Sequence, residues 1–222
     1  MIKGNGFYQI KFQGTMRLVT ENLVPGNRVY NEKLILKKGV EYRTWEPYRS
    51  KLAAAITNGL NVVPFTEGTQ VLYLGASTGT TVSHISDIIG PKGVVFAVEH
   101  ASRVARELLD RVVTHRNNVV PVIQDARHPL EYHSIFEDAD VIYADIAQPD
   151  QTEIVLANCN AYLKHGGHLL LVIKVRSIDS LAPTEKVISD ETAKIRRDFD
   201  ILQTVDLGPY DKHHALVAAR MR

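Results

Sequence analysis

Gly75 and Gly79 frame a short loop, Gly-Ala-Ser-Thr-Gly, that follows the apolar run Val71–Leu74. An apolar-periodic segment comes next, an order typical of a strand that turns into a helix whose free N–H groups face a ligand. Glycine adopts backbone angles closed to other residues and lets a cofactor come close. The spacing is G-x-x-x-G, without the G-x-G-x-x-G that holds a dinucleotide pyrophosphate. Alone, the loop is consistent with nucleotide binding and with an ordinary turn.

Three acidic residues each follow a predicted strand: Glu99, Asp125 and Asp145. The carboxyl ends of parallel strands meet at one sheet edge, where open α/β folds bind ligands. Glu99 lies about 20 residues beyond the loop, where a carboxylate accepts hydrogen bonds from ribose hydroxyls. Asp125 could accept one from an adenine amino group. Each acid alone could be a solvated strand end, but with the loop they predict an adenosine-containing ligand. The missing pyrophosphate motif favours S-adenosylmethionine over NAD.

From Thr69 onward, strand and helix patterns alternate, and several strands are apolar almost throughout, as in a parallel sheet covered on both faces. Strands are predicted near 70–74, 93–98, 119–123, 140–144, 168–174, 199–206 and 213–220, and helices near 80–89, 102–115, 151–163 and 184–197. Too few residues separate the last two strands for a crossover helix, so they should form an antiparallel hairpin at one edge. The predicted fold class is α/β, with a doubly wound, mostly parallel seven-stranded sheet.

Residues 1–43 carry a different pattern, in which Tyr8, Ile10 and Phe12 alternate with polar residues and turn signals separate short pieces. This predicts a small β-rich N-terminal module ahead of an α/β domain over 44–222. The module is too short to bury much core alone, so it should lean on the larger domain or on a partner. A docking module and an N-terminal extension of the core sheet are both open.

A helix is predicted from about residue 45 to 58, with Thr44 as its N-cap, Pro47 in the first turn and Gly59 as its C-cap. Lys51 lies beside the apolar stripe of this helix. A lone lysine in that position is usually a solvated flank.

The composition is ordinary for a globular protein, and the net charge of the 222 residues is +1. Contact with nucleic acid must therefore come from a local patch or through partners. Cys159 is the only cysteine, which excludes an internal disulfide and suits a reducing, cytoplasmic location. The first residues do not resemble a signal peptide, and the apolar runs are too short for a bilayer span, so we expect no membrane association.

Three stretches, residues 74–87, 93–99 and 143–149, together with Arg103 and Arg106, resemble fibrillarin, the RNA-guided ribose 2′-O-methyltransferase family. The resemblance covers essentially the whole chain and implies a Rossmann-like class I methyltransferase fold over 44–222. The sequence has no Gly/Arg-rich N-terminal tail, which indicates the archaeal, fibrillarin-like form. Two positions depart from the family: His100, where Phe or Tyr is usual, and His213, where an acidic residue is common.

The resemblance implies which residues bind S-adenosyl-L-methionine. Thr80 and Thr81 would line the methionine end, and Glu99 and His100 would flank the ribose and adenine. The complete implied set is Gly75, Ala76, Ser77, Gly79, Thr80, Thr81, Glu99, His100, Asp125, Ala126, Asp145, Ile146, Ala147 and Gln148.

The Lys-Asp-Lys-His tetrad of the family corresponds to Lys51, Asp145, Lys174 and His214. The predicted fold is consistent with this, because Asp145 and Lys174 follow parallel strands and His214 begins a strand that runs the other way. A ribose 2′-OH is a weak nucleophile, so the protein must place it in line with the methyl group and help to remove its proton. Lys174 is the first candidate to accept or steer that proton, Asp145 would hold the lysines, and His214 would orient the ribose or assist.

The resemblance also implies partners: a Nop-domain scaffold protein, a ribosomal-type protein that binds the kink-turn, and a box C/D guide RNA that selects nucleotides in rRNA, and also in tRNA. No metal is implied. The alternatives are a stand-alone methyltransferase with another substrate and a ribonucleoprotein scaffold that has lost catalysis. Dependence on guide RNA distinguishes the RNA-guided enzyme from the stand-alone methyltransferase, and a cofactor-binding titration distinguishes it from the scaffold.

Overall fold

The computed structural model describes residues 2–3 and 6–222, and this part contains two separate β-sheets and six α-helices. The strands are β1 (Ile2–Lys3), β2 (Phe7–Phe12), β3 (Thr15–Glu21), β4 (Leu34–Lys37), β5 (Val40–Thr44), β6 (Gln70–Leu74), β7 (Val94–Val98), β8 (Val119–Val122), β9 (Ala139–Ala144), β10 (Leu163–Lys174), β11 (Phe199–Asp206) and β12 (His214–Met221). The helices are α1 (Lys51–Thr57), α2 (Thr80–Ile89), α3 (Ser102–Arg111), α4 (Gln151–Tyr162), α5 (Val175–Ile178) and α6 (Thr184–Ile195).

The larger sheet has seven strands in the order β11-β12-β10-β9-β6-β7-β8. The strands from β6 to β10 pair in parallel, and β12 is antiparallel to both of its neighbours. The predicted fold class is confirmed, including the terminal hairpin. Because β12 is inserted between β10 and β11, the strand at this edge of the sheet is β11, and β8 lies at the other edge.

Helices cover both faces of this sheet, and the side chains of β10 alternate between them. Leu170 and Val172 pack in a core with residues of α1 and α2, such as Leu52 and Val82. Leu169 and Leu171 pack in a second core with residues of α4 and α6, which include Val155 and Val187. A sheet buried on both faces explains why its strands are apolar throughout.

The predicted helix over 102–115 is shorter in the structure. α3 ends at Arg111, and a 3-10 turn, Val113–His115, follows it. Val112 has a non-helical φ of −121°. Its side chain packs against Gly79, where an added Cβ would lie 2.5 Å from the Val112 Cγ2 atom. The first core therefore ends the helix.

The predicted start of the helix near residue 45 was wrong. Thr44 ends β5 opposite Val19, and its side chain accepts a hydrogen bond from the Lys33 amide. Pro47 opens a 3-10 turn, and α1 begins only at Lys51, with Ser50 as the N-cap that accepts a hydrogen bond from the Ala53 amide at 3.3 Å. Asn58 stands at the C-cap, and Gly59 follows it with a φ of +97°.

The N-terminal strands form their own antiparallel sheet in the order β1-β2-β3-β5-β4. Among the described residues they pair only with each other, so the alternative that they extend the core sheet was wrong. The predicted division after residue 43 falls one residue before the end of β5 and stays a prediction, as does the docking role.

Buried charges join this sheet to α2. Asp87 of α2 accepts hydrogen bonds from Arg43 Nη1 at 2.9 Å and from Thr20 Oγ1 at 2.7 Å. Its other oxygen is 2.6 Å from Arg116 Nη1, and Glu32 lies 2.6 Å from Arg43 Nη2. All four charged side chains are completely buried. Buried charges persist when they are paired and hydrogen-bonded, so this cluster fixes the N-terminal sheet to the larger domain.

The expectation that no signal peptide begins the chain concerns residues of which 1, 4 and 5 lie outside the described part. Within the part that is described, no helix has the length and apolar character needed to cross a bilayer.

Candidate active site

A cleft of about 310 Å³ opens at the carboxyl edge of the seven-stranded sheet. Most of the predicted cofactor residues line it: Gly75, Ser77, Glu99, His100, Asp125, Ala126, Asp145, Ile146, Ala147 and Gln148. Its remaining lining residues are Val98, Gln124, Ile154 and Lys174. A volume of this size suits a small organic ligand.

The glycine loop fits closely against its neighbours on both sides. Gly75 has a φ of +81°, and a Cβ there would lie 2.7 Å from the Asp145 carbonyl oxygen. Gly79 has a φ of +89° and packs against Val112, as described above. Only glycine combines a positive φ with the absence of a Cβ at these positions. The close approach of Gly75 to Asp145 lets the loops after β6 and β9 lie side by side at the cleft.

Glu99 is fixed at the floor of the cleft by two backbone amides. Its Oε2 accepts a hydrogen bond from the Ser77 amide at 2.9 Å, and its Oε1 accepts one from the Ala101 amide at 2.9 Å. Each carboxylate oxygen keeps a second lone pair, so the group can still accept hydrogen bonds from a diol. The His100 ring is largely exposed, with Nδ1 at 3.8 Å from Glu99 Oε1. The effect of His100 on cofactor packing stays a prediction.

Asp125 and Gln148 both line the cleft, and Arg127 connects the two. The backbone N–H of Arg127 donates to the Asp125 carboxylate at 2.9 Å, and its guanidinium donates both to that carboxylate and to Gln148 Oε1. The amide hydrogen bond, followed by the positive charge of Arg127 and of nearby His100, lowers the pKa of Asp125. The carboxylate is therefore ionised near neutral pH and can accept a hydrogen bond from an exocyclic amine.

Four residues in the predicted cofactor set do not line the cleft: Ala76, Gly79, Thr80 and Thr81. Thr81 is buried, and its Oγ1 lies 2.9 Å from Ser50 Oγ, beneath the start of α1. Their contacts with a cofactor stay predictions.

Three members of the predicted tetrad meet at the end of the cleft. Asp145 follows β9 and lies between Lys51, the first residue of α1, and Lys174, the last residue of β10. The Lys51 Nζ is 3.1 Å from Asp145 Oδ2, and the Lys174 Nζ is 2.8 Å from Oδ1. The Lys174 ammonium directs a hydrogen bond to the backbone carbonyl of Asp145 at 3.0 Å. One carboxylate thus pairs with two cations, and the catalytic roles of these residues stay predictions.

His214 joins this group through Asp211, which sequence reasoning missed. Asp211 Oδ1 is 2.9 Å from His214 Nδ1, and Oδ2 is 3.7 Å from Lys51 Nζ. His214 Nδ1 is also 2.8 Å from the Lys212 carbonyl oxygen. Because both partners of Nδ1 are acceptors, this nitrogen carries the ring proton, and Nε2 is the acceptor when the ring is neutral. The two ammonium and two carboxylate groups balance in charge.

Gln151 and Ser50 fix the two lysines and were also missed. Buried Gln151 accepts a hydrogen bond from the Lys174 amide at 3.1 Å and donates one to the Val172 carbonyl at 2.7 Å. Ser50 caps α1 immediately before Lys51. A serine beside Lys51 is a recognisable N-cap signal, and Asp211 is an acid three residues before His214, but nothing in the pattern around Gln151 marks it.

His213, the second departure from the family pattern, lies in a left-handed turn with a φ of +61°. Its Nδ1 is 3.2 Å from Thr184 Oγ1 at the start of α6. Within the described contacts the acid beside His214 is Asp211, and the influence of His213 on His214 stays a prediction.

Comparison with known proteins extends these observations to the whole chain. The family model described as Fibrillarin matches residues 2–222. The fibrillarin-like rRNA/tRNA 2′-O-methyltransferase of Pyrobaculum calidifontis is 52% identical over 97% of this chain and 93% of its own. The crystal structure of Aeropyrum pernix fibrillarin with natively bound S-adenosyl-L-methionine superposes with a TM-score of 0.90 at 45% identity, covering 96% of this chain and 94% of that one. The structure of a fibrillarin/Nop5p complex gives 0.88 at 38% identity, covering 98% of each chain. The predicted family resemblance is confirmed.

Proposed function

Because the chain belongs to the fibrillarin family, we propose that it transfers the methyl group of S-adenosyl-L-methionine to ribose 2′-hydroxyls of rRNA and tRNA. The observation that carries this proposal is the meeting of Lys51, Lys174 and Asp145 beside a cleft of about 310 Å³ at the carboxyl edge of the sheet. These residues come from three distant segments, and the fold brings them to one edge.

The residues of the cleft fit the proposed cofactor. The carboxylates of Glu99 and Asp125 present acceptors for the ribose diol and for the adenine amino group, and Gly75 keeps the intervening loop free of side chain. When bound, S-adenosyl-L-methionine supplies a methyl group already activated on a sulfonium sulfur. The chain must therefore supply position and proton transfer.

The contacts of the cluster suggest a role for each member. Lys174 is an ammonium held by Asp145, so it acts as a donor that orients the ribose oxygen and stabilises its developing negative charge. Lys51 supplies a second positive charge on the other side of Asp145. His214 Nε2 is the acceptor that the cluster leaves for the hydroxyl proton, because Nδ1 is occupied by its two acceptor partners. Lys174 thus steers the proton, and His214 receives it.

The proposal includes assembly with a Nop-domain scaffold, a ribosomal-type kink-turn-binding protein and a box C/D guide RNA. The 38% identical fibrillarin solved with Nop5p supports the scaffold. A net charge of +1 supports partners that bring the RNA, because nucleic-acid affinity depends on cationic contacts. A cytoplasmic place of action is part of the same proposal.

The test is transfer of labelled methyl to RNA by the assembled enzyme, with and without scaffold, kink-turn protein and guide. We expect the lone chain to bind S-adenosyl-L-methionine and methylate little RNA. A 2′-deoxy substitution at the target ribose should remove the label. Efficient site-specific transfer by the lone chain would contradict the need for partners and favour a stand-alone methyltransferase.

The site assignment is tested by Lys174→Ala, which should abolish methyl transfer and leave cofactor binding by calorimetry intact. Lys164→Ala is the matched control, because Lys164 also forms an ion pair, 2.7 Å from Asp140, at the amino ends of the parallel strands and away from the cleft. Full activity of the Lys174 variant would refute the assignment. A wild-type chain that fails to bind the cofactor would instead favour a non-catalytic scaffold.

A further inference from the structure

Two tyrosines lie beside the catalytic cluster and outside the cofactor cleft. Tyr48, in the 3-10 turn Pro47–Arg49, is 70% exposed. Its ring meets that of Tyr210 edge to face, with centroids 5.0 Å apart and an interplanar angle of 73°. Neither phenolic hydroxyl has a hydrogen-bond partner in the described part of the chain. Tyr210 is half-buried against the first core, and the exposed Tyr48 hydroxyl is available to a ligand.

The position of this pair ties it to the cluster. Tyr210 is bonded to Asp211, so their Cα atoms are about 3.8 Å apart. Asp211 contacts both Lys51 and His214. Tyr48 precedes Lys51 by one 3-10 turn. Both tyrosines are thus next to residues of the cluster in the chain, Tyr210 beside Asp211 and Tyr48 one turn before Lys51.

The pair is held by a fixed framework. Asn58, at the C-cap of α1, donates hydrogen bonds to the carbonyls of Asp206 and Gly208 at 2.8 and 2.7 Å. The Tyr210 amide bonds to the Leu207 carbonyl at 3.0 Å. These bonds pin the β11–β12 loop to α1, so a partner meets a preformed surface and orders little on binding.

The charges around the pair favour a polyanion. Arg49 and Lys212 are exposed, adjoin the two tyrosines in sequence, and form no ion pair with any acid that the structure describes. The nearby acids are already neutralised, since Glu46 lies 3.6 Å from Arg17 and Asp211 pairs with cluster cations. Arg49 also lies over the Tyr30 ring, 5.9 Å from its centroid, and keeps its charge without an acidic partner. Two such cations beside an exposed phenol match a sugar–phosphate chain, in which cations meet phosphates and phenols meet sugars and 2′-hydroxyls.

We propose that Tyr48, Tyr210, Arg49 and Lys212 form the surface that holds the sugar–phosphate backbone of the substrate strand next to the target ribose. This inference rests on the proposed function and adds which part of the substrate RNA the chain contacts, the backbone next to the target ribose. A guide–substrate duplex presents its 2′-hydroxyls in a wide, shallow minor groove, so the contact needs no unpaired base. The surface positions RNA without reading its sequence.

The experiment measures the affinity of the assembled complex for substrate RNA by fluorescence anisotropy, together with the KM for RNA. Tyr48→Ala should weaken RNA binding about 3- to 10-fold, the range for a lost hydrogen bond and its packing, with cofactor affinity unchanged. Arg49→Ala should reduce the slope of log affinity against log salt by about 0.7 to 0.9, as for one lost phosphate contact. Leu36→Ala, at an exposed apolar residue of β4, and Lys92→Ala, at an exposed cation paired with Glu67, are the matched controls and should change neither value.

A substrate series then locates the contact. Tyr48→Phe keeps the ring and removes the hydroxyl, and 2′-deoxy substitutions remove single hydroxyls next to the target. At the contacted nucleotide, the combined change should be no worse than either change alone, because both remove the same hydrogen bond. The proposal would be overturned if the Tyr48→Phe and 2′-deoxy effects on affinity were additive at every neighbouring nucleotide and the Tyr48→Ala and Arg49→Ala complexes bound RNA with wild-type affinity.

Loss of scaffold binding by Tyr48→Ala, with unchanged RNA affinity of the complexes that do form, would also overturn it and assign the surface to a protein partner. Anisotropy does not depend on methyl transfer. A wild-type complex that binds this RNA through Tyr48 but transfers no methyl group would therefore contradict the proposed function alone.

Discussion

Asp87→Asn tests whether buried charge fixes the N-terminal sheet to the larger domain. In the structure its carboxylate bridges two arginines that are completely buried, Arg43 and Arg116. The substitution keeps the size and shape of the side chain and removes its charge, so packing is preserved while the ionic bridge is lost.

The consequences differ for the two arginines. Arg43 keeps Glu32, which lies 2.6 Å from its Nη2. Arg116 keeps only neutral acceptors such as the Ser86 hydroxyl, 3.0 Å from its Nη1, and no other carboxylate of the described residues lies within contact. Leaving one buried charge without its partner costs about 3 to 5 kcal/mol. For a chain of this size that lowers the melting temperature by roughly 6 to 20 °C.

The assay is equilibrium unfolding in urea, with hydrogen exchange to locate the change. We expect the amides of β3 and β5 to lose protection before those of β6 and β9. The matched control is Asp190→Asn, because Asp190 lies 2.6 Å from Lys186 while both side chains are more than half exposed, so the unfolding midpoint should not move. Equal midpoints for the two variants would refute the argument that the buried bridge joins the sheets.

Three further predictions concern pH and catalysis. Burial, followed by the charges of two nearby arginines, holds the pKa of His84 well below its usual range. Because only the unfolded chain then takes up a proton at this residue, the free energy of unfolding should fall by up to about 1.4 kcal/mol per pH unit below about pH 6.5. His84→Gln should flatten this slope in urea unfolding at about pH 5 to 7. Ser50→Ala removes the N-cap of α1 and should cost about 1 kcal/mol of stability and lower kcat through a loosened Lys51, with calorimetric cofactor affinity unchanged. Asp211→Asn should lower kcat less than Asp145→Asn, since Asp145 is within 3.1 Å of both lysines and Asp211 approaches only one, at 3.7 Å; the reverse order in the assembled enzyme would contradict the proposed roles.

The central sheet was predictable because local pattern and fold agree there. Continuous apolar runs such as Leu169–Ile173 indicate strands buried on both faces, and the short link between the last two strands requires a hairpin. The start of α1 could not be predicted, because Pro47 fits the first turn of an α-helix and a 3-10 turn equally well. The junction of Arg43 with Asp87 joins residues far apart in sequence, and no local pattern reports such a pair.

The acids of the cleft were predictable for a related reason. Glu99, Asp125 and Asp145 each follow a parallel strand, and all such strand ends share one edge. Asp211 lies in a loop without periodicity, so only its spacing to His214 could have suggested it. The contact of Thr81 with the cofactor stays a prediction from the family resemblance, and the pairing of its hydroxyl with Ser50 joins two segments that no local pattern connects.

The antiparallel course of β12 explains why the last loop of the chain takes part in the site at all. A strand that runs opposite to its neighbours begins, rather than ends, at the carboxyl edge, so the β11–β12 loop carries Asp211 to Lys51. The register places His214 opposite Lys174. A slip by one residue would put Ala215 there and turn every side chain of β12 to the other face of a sheet that is buried on both faces. Packing of residues such as Leu216 and Val217 in the two cores therefore fixes the register, and with it the placement of His214 beside Lys174.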